Sequence, residues 1–112
     1  MAAPLPGGTP QDGDDTMSMS IEETPEGLAL PLTLRLRGGL HARPAARLAQ
    51  EAQRFTADIS LRSDDASADA KSMLDILSLA LPEESRITLL ASGSDARQAL
   101  EALATCLDSL RD

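Results

Sequence analysis

The sequence predicts an α+β domain in which helices cover one side of an antiparallel sheet, and three observations point there. Four segments alternate apolar and polar residues with a period of two, the mark of strands with one buried face. Three others carry a single apolar stripe at helical spacing. In chain order they run βαββαβα, and strands that can show a polar face fit a sheet covered on one side. Periodicity alone leaves several ferredoxin-like arrangements open.

The first strand is read from Leu28, Leu30, Leu32, Leu34 and Leu36, with Thr33 and Arg35 on its other face, and Pro31 argues either that pairing is good only after it or that the strand lies at an edge early on. It stops at Gly38-Gly39. A helix then runs from His41 to about Arg54, with Ala45, Leu48, Ala49 and Ala52 on its inner stripe. Ala57, Ile59 and Leu61 make a second strand, and Ser67 to Ala70 a short third one. Ser72, with Asp75 three residues on, is placed to cap a helix over residues 73–79. Arg86 to Ala91 alternates as a fourth strand with Ile87 and Leu89 inward. The last helix, from Asp95 to Leu110, buries Ala96, Ala99, Leu100, Leu103, Ala104 and Leu107. Phe55 is the only aromatic residue, so the core is built from Leu, Ile and Ala.

Charge separates the chain into two parts. Of its 18 acids, six (Asp12, Asp14, Asp15, Glu22, Glu23, Glu26) fall in residues 1–27, which contain no Lys or Arg, so most of the net charge of -8 sits there. That stretch mixes Pro, Gly, Ser, Thr and acids with isolated apolar residues, a composition unable to offset the entropy of ordering. Residues 1–27 are therefore expected to be a disordered acidic extension and residues 28–112 the single folded domain. Deleting residues 1–26 is then expected to change thermal stability little. No basic field exists for nucleic acid, although Arg35, Arg37, Arg43, Arg47 and Arg54 cluster in sequence. Cys106 is alone, which rules out an intramolecular disulfide, and no Cys/His spacing of a metal site is present. No apolar run approaches the roughly 18 residues of a membrane span, and no signal-peptide pattern opens the chain.

The only histidine, His41, lies between Gly38-Gly39 and an alanine-rich helix. An imidazole with an ordinary pKa near 6.5 is a nucleophile at neutral pH and can carry a group covalently. The first turn of the helix offers unpaired amides and the positive end of the dipole to a phosphate. Pro44 spends its missing N–H in that turn and leaves the amides of Ala42 and Arg43 available, and Arg43 adds a fork of donors. The plain alternative is that His41 is a polar cap on an exposed helix end.

Gly39-Leu40-His41-Ala42-Arg43-Pro44-Ala45-Ala46 resembles the active-site signature of HPr, the histidine-containing phosphocarrier of the phosphoenolpyruvate-dependent sugar phosphotransferase system. The resemblance extends from about Leu32 to Leu110 without an obvious insertion. It includes Glu51-Ala52, Phe55-Thr56, Ala68-Asp69-Ala70-Lys71-Ser72 and Ser92-Gly93-Ser94-Asp95-Ala96. It implies an open-faced βαββαβα sandwich with a four-stranded antiparallel sheet and three helices on one face. It also implies that His41 takes a phosphoryl group on Nδ1 from phospho-enzyme I and passes it to a IIA component, with Arg43 orienting the phosphate.

By the same resemblance Ser72 is a regulatory target of an HPr kinase/phosphorylase, and Met73, Leu74 and Leu77 form an apolar docking patch, with Arg47 contributing charge. The expected protein is a cytoplasmic monomer that needs no cofactor or metal. Its departures from the pattern are Gly38 in place of a common asparagine, Gln50 and Gln53 where some members carry lysines, and Ala80 in place of a common glycine. The alternative within the class is a regulatory phosphoprotein of a nitrogen-related branch. Rivals from other classes are a histidine-dependent hydrolase, for which no partner acid is positioned by motif and no Gly-x-Ser-x-Gly or metal-ligand set is present, and an interaction module with an inert His41.

Overall fold

The computed structural model describes residues 21–110. Its elements are β1 (Glu22–Thr24), β2 (Gly27–Thr33), α1 (Ala42–Ala52), β3 (Asp58–Ser63), β4 (Ala66–Asp69), α2 (Met73–Ser78), β5 (Arg86–Ser92) and α3 (Ala96–Leu110). The strands form one antiparallel sheet in the order β1-β2-β5-β3-β4, and the three helices lie on one face of it. This is the expected open-faced sandwich with one strand more.

The period-two pattern becomes a register. Leu30 lies opposite Leu89, which lies opposite Leu61, and Leu61 opposite Ala68, so one row of apolar residues crosses four strands on the covered face. Leu48 and Ala49 of α1, Ile76 of α2 and Leu100 and Leu103 of α3 close over that face. Each fully buried leucine contributes roughly 1.5–3 kcal/mol relative to exposure. The opposite face carries Thr88, Ser60 and Arg62 in the alternate positions and stays partly open to solvent.

Two boundaries differ from the sequence reading. Residues 1–20 of the expected extension lie outside the described residues, but Glu22–Thr24, also assigned to it, form a strand. This strand pairs with β2 in the register Glu22 to Ala29, Glu23 to Leu28 and Thr24 to Gly27. Thr24 Oγ1 donates to Gly27 O at 2.9 Å and accepts from the Glu26 N–H at 3.2 Å, which ties the turn, and Ile21 packs against the core. Removing residues 1–26 therefore strips paired backbone and a packed isoleucine, contrary to the expected indifference. The second difference is that β2 ends at Thr33 rather than Leu36. Leu34 still makes the in-register bond, its N–H donating to Ser85 O (2.8 Å), but its carbonyl accepts from the Glu84 N–H (3.1 Å), one residue out of register, which ends the ladder; Leu34 and Leu36 nevertheless remain buried.

The start of α3 is stitched to β3 by Asp95, whose carboxylate accepts the N–H of Thr56 at 3.0 Å and of Ala57 at 2.8 Å. These bonds, the one from Thr56 foremost, hold its pKa below the ordinary value. Cys106 is buried in α3, and that burial pushes its thiol pKa up, as suits a packing residue and not a reactive one.

Ala80 follows α2 with φ +51, and its N–H closes on Leu77 O at 3.1 Å. The left-handed conformation costs an alanine roughly 1–2 kcal/mol that a glycine would not incur. Ala80→Gly is therefore expected to raise stability by roughly 0.5–1 kcal/mol, net of the entropy of a freer unfolded chain. Urea unfolding checks this: the midpoint should rise with the slope unchanged.

Candidate functional site

The loop that presents His41 is fixed from below. Gly38 and Gly39 take φ +79 and +77, which turns the chain sharply out of β2. Leu40 then plugs into the core at 3% exposure, with its N–H donating to Leu81 O at 2.9 Å. Gly39 lies against the backbone of Leu81 and Pro82 so closely that a Cβ there would collide with Leu81 O. His41 follows in extended conformation (φ -88, ψ -167) as the N-cap of α1.

The His41 side chain is exposed and makes no capping hydrogen bond, so the ring does not satisfy the helix amides. The intrahelical ladder opens with the Ala45 N–H donating to His41 O at 2.9 Å. The amides of Ala42 and Arg43 precede that bond, and Pro44 has none, so two donors in the first turn have no intrahelical acceptor. Arg43 is exposed and forms no ion pair with a carboxylate among the described residues. An exposed imidazole, two free amides and a guanidinium at one helix end make an arrangement able to hold a phosphoryl group.

The wider arginine cluster does not gather whole and uncompensated around this end. Arg35 pairs with Glu84 at 3.7 Å. Arg54 pairs with Glu51 at 2.7 Å and lies 5.9 Å from the centre of the Phe55 ring, at the far end of α1. Arg47 is exposed one turn on from Arg43, on the same side of the helix, and lines a groove between α1 and α3.

Ser72 is the N-cap of α2, with Oγ accepting the Asp75 N–H at 3.2 Å. The reciprocal half of the capping box is absent: the Asp75 carboxylate takes the Asp69 N–H at 3.0 Å, and the Ser72 N–H donates to Asp69 O at 3.0 Å. Ser72 is far from His41. Gln53 Nε2 donates to Lys71 O and Lys71 Nζ to Phe55 O, each at 2.8 Å, so α2 starts at the C-terminal end of α1. Since Leu81, just beyond α2, meets Leu40 at the other end, α2 runs antiparallel to α1. The eleven residues of α1 put on the order of 15 Å between the two sites.

Of the apolar residues on α2, Leu74 is 78% exposed, whereas Met73 and Leu77 are half-buried against the core. Sequence spacing did not single out Leu74. A short helix carrying Met73, Leu74, Ile76, Leu77 and Leu79 has more than one plausible apolar stripe, and only the position of Ile76 at full burial fixes its phase. Leu40 and the close approach of Gly39 to Leu81 were also missed, the only hint being an apolar residue between glycine and histidine.

Among the described residues there is no group of three or more His, Cys, Asp or Glu side chains able to hold a metal ion, and no helix long and apolar enough to cross a membrane.

A sheet open on one face, with a single histidine held out at the first turn of a helix on the other, is the frame of a small histidine-bearing carrier. The family model described as the PTS HPr component phosphorylation site matches residues 30–109. The chain belongs to the HPr family. It is 48% identical to the HPr-like protein Crh of Bacillus subtilis over 71 residues, 63% of this chain and 84% of that one. To the phosphocarrier protein HPr of Lysinibacillus sphaericus it is 43% identical over 72 residues, covering 64% and 82%. The crystal structure of a phosphocarrier protein HPr from Bacillus anthracis superposes with a TM-score of 0.67 at 47% identity, covering 70% of this chain and 93% of that one.

Proposed function

We propose that this chain is the phosphocarrier between enzyme I and a IIA component of a sugar phosphotransferase system, working in the cytoplasm as a monomer. The observation that carries the reading is the exposed His41 ring, free of any capping bond, beside Arg43 and the two unladdered amides. In the transfer, the Nδ1 lone pair of His41 attacks the phosphorus of the phosphohistidine on enzyme I. The new P–N bond forms as the old one breaks, and the donor imidazole leaves. Arg43 and the amides of Ala42 and Arg43 would bear the phosphate charge. The same step in reverse sense hands the group to a histidine of the IIA component. A convex, exposed site suits this work, because water is excluded only when a partner covers it.

Docking is assigned to Leu74, with Met73 and Leu77 at its margin and Arg47 supplying charge; the exposure of Leu74 supports this order. Incubation with phosphoenolpyruvate and enzyme I tests the carrier reading, with one acid-labile phosphate per chain expected. A second reading is a regulatory phosphoprotein that accepts phosphate but does not serve sugar uptake. Its support is the similarity to Crh together with Ser72, and absence of transfer from the phosphorylated chain to any sugar-specific IIA component would favour it.

Ser72 is proposed as a target of an HPr kinase/phosphorylase. A phosphate there adds about -1.5 to -2 charge at a helix N-terminus that tolerates it, but next to the face bearing Met73 and Leu74. At its distance from His41 it would act on docking, through the cost of desolvating a dianion, and not on the imidazole itself. Ser72→Asp is expected to slow phosphorylation of His41 by enzyme I with little change in stability. Ser72→Ala should remain active and lose about 1 kcal/mol with the cap. Stopped reactions with enzyme I, paired with urea unfolding, check both; an unchanged rate in Ser72→Asp would count against regulation at this position.

A further inference from the structure

Without β1, the strand β2 would be an unusual edge. Gly27–Thr33 reads Gly-Leu-Ala-Leu-Pro-Leu-Thr, with no charged residue, and its other side is already paired along its length with β5. Flat, apolar, uncharged edge strands are templates for pairing with another chain, and natural sheets defend them with short strands, charges or proline. Backbone amides of alternate strand residues point to the same side. Pro31 can only belong to the set pointing away from β5, since a proline has no N–H for the ladder. Gly27, Ala29 and Thr33 share that set by their spacing.

β1 lies opposite the first two of these, with Thr24 at Gly27 and Glu22 at Ala29. Pro31 removes the third donor, which leaves Thr33 as the one outward amide of β2 without cover from either. The strand that becomes the new edge is three residues long, two of them exposed glutamates. Beyond it the tip of the hairpin reaches across the open face of the sheet, where Glu26 meets Arg62 of β3 at 3.7 Å. The opposite edge, β4, is also short and ends in an acid, Asp69. The segment matched by the family model begins at residue 30, so β1 lies outside it.

We propose that β1 is a covalently attached edge cap: it occupies the pairing surface of β2 that a second copy of this chain would otherwise take. In its absence two β2 edges would pair antiparallel through Gly27 to Ala29, burying Leu28 and its neighbours between subunits. With β1 in place, an approaching copy meets a short acidic edge like its own, and like charges oppose the approach.

The test uses the full chain. In Glu22→Pro combined with Thr24→Pro, both β1 amides that face β2 are removed while the length and the rest of the domain are kept. Sedimentation equilibrium from micromolar to millimolar protein reads the mass, and amide hydrogen exchange reads Ala29 for the edge and Leu89 for the centre of the sheet. The unaltered chain should stay at the mass of one chain with Ala29 protected. The variant should approach twice that mass as concentration rises, with Ala29 exchanging freely in dilute solution, regaining protection in the dimer, and Leu89 protected throughout. A variant that stays monomeric at all concentrations overturns the proposal, and so does an unaltered chain that dimerises. Loss of protection at Leu89 would overturn it too, since β1 would then be part of what folds the domain and not a cap on it.

Discussion

His41→Ala is expected to fold as the parent does and to accept no phosphate from phosphoenolpyruvate and enzyme I. The first half follows from where the ring is. It is exposed, caps nothing and projects from the start of α1, so truncating it leaves the core and the Ala45 to His41 backbone bond in place. Surface substitutions of that kind usually fall within about 0.5 kcal/mol. The second half follows from count: this is the only imidazole in the chain, so no neighbouring histidine can take over the nucleophile's role. The effect on transfer is therefore complete loss, and not a slowing. Mass spectrometry of the intact protein after reaction reads it directly, with thermal unfolding as the control for fold. A phosphate retained by His41→Ala, or an acid-stable phosphate on the unaltered chain from the enzyme I reaction, would place the chemistry on another residue.

Most of the fold was legible because it rests on periodicity. Leu30, Leu89 and Leu61 sit in the register that their alternation implies, and Ala45, Leu48, Ala49 and Ala52 form the buried stripe of α1. What escaped is what has no period. β1 is a three-residue strand carrying two glutamates, and nothing in Glu22-Glu23-Thr24 distinguishes a paired edge from a solvated tail except the partner it finds in β2. At the candidate site the residues that share the helix start were readable, since His41, Arg43 and Pro44 fall within four positions of one another. Their support was not. Leu40 and Leu81 are far apart in sequence, and a backbone contact across that interval leaves no trace in local composition. The arginines show the converse. Five lie close in sequence, but Arg35 and Arg54 are drawn to Glu84 and Glu51, so proximity in sequence overstated the positive field at the site.

That hidden support predicts that Gly39→Ala is severely destabilising while Gly38→Ala is mild. The two glycines are matched in backbone conformation, at φ +77 and +79, so each alanine incurs the same left-handed strain of roughly 1–2 kcal/mol. They differ in what a Cβ would meet. At Gly38 the nearest atom is His41 Cδ2 at 3.5 Å, an ordinary van der Waals contact with an exposed ring. At Gly39 the Cβ would collide with Leu81 O and stand 2.8 Å from Pro82 Cα, both backbone, which cannot rotate aside. Leu81 O is also the acceptor for the Leu40 N–H, so relief of the clash pulls that bond apart and lifts Leu40 out of the core. Overpacking of this sort adds about 1–3 kcal/mol to the strain. The expected total, about 2–5 kcal/mol, is a large part of the roughly 5–15 kcal/mol that holds a small domain together. Urea unfolding of the two variants isolates the steric part as the difference between their midpoints, provided the slopes agree. Equal losses at the two positions would show that backbone conformation alone decides the cost, and that the Leu81–Pro82 backbone yields freely beneath His41.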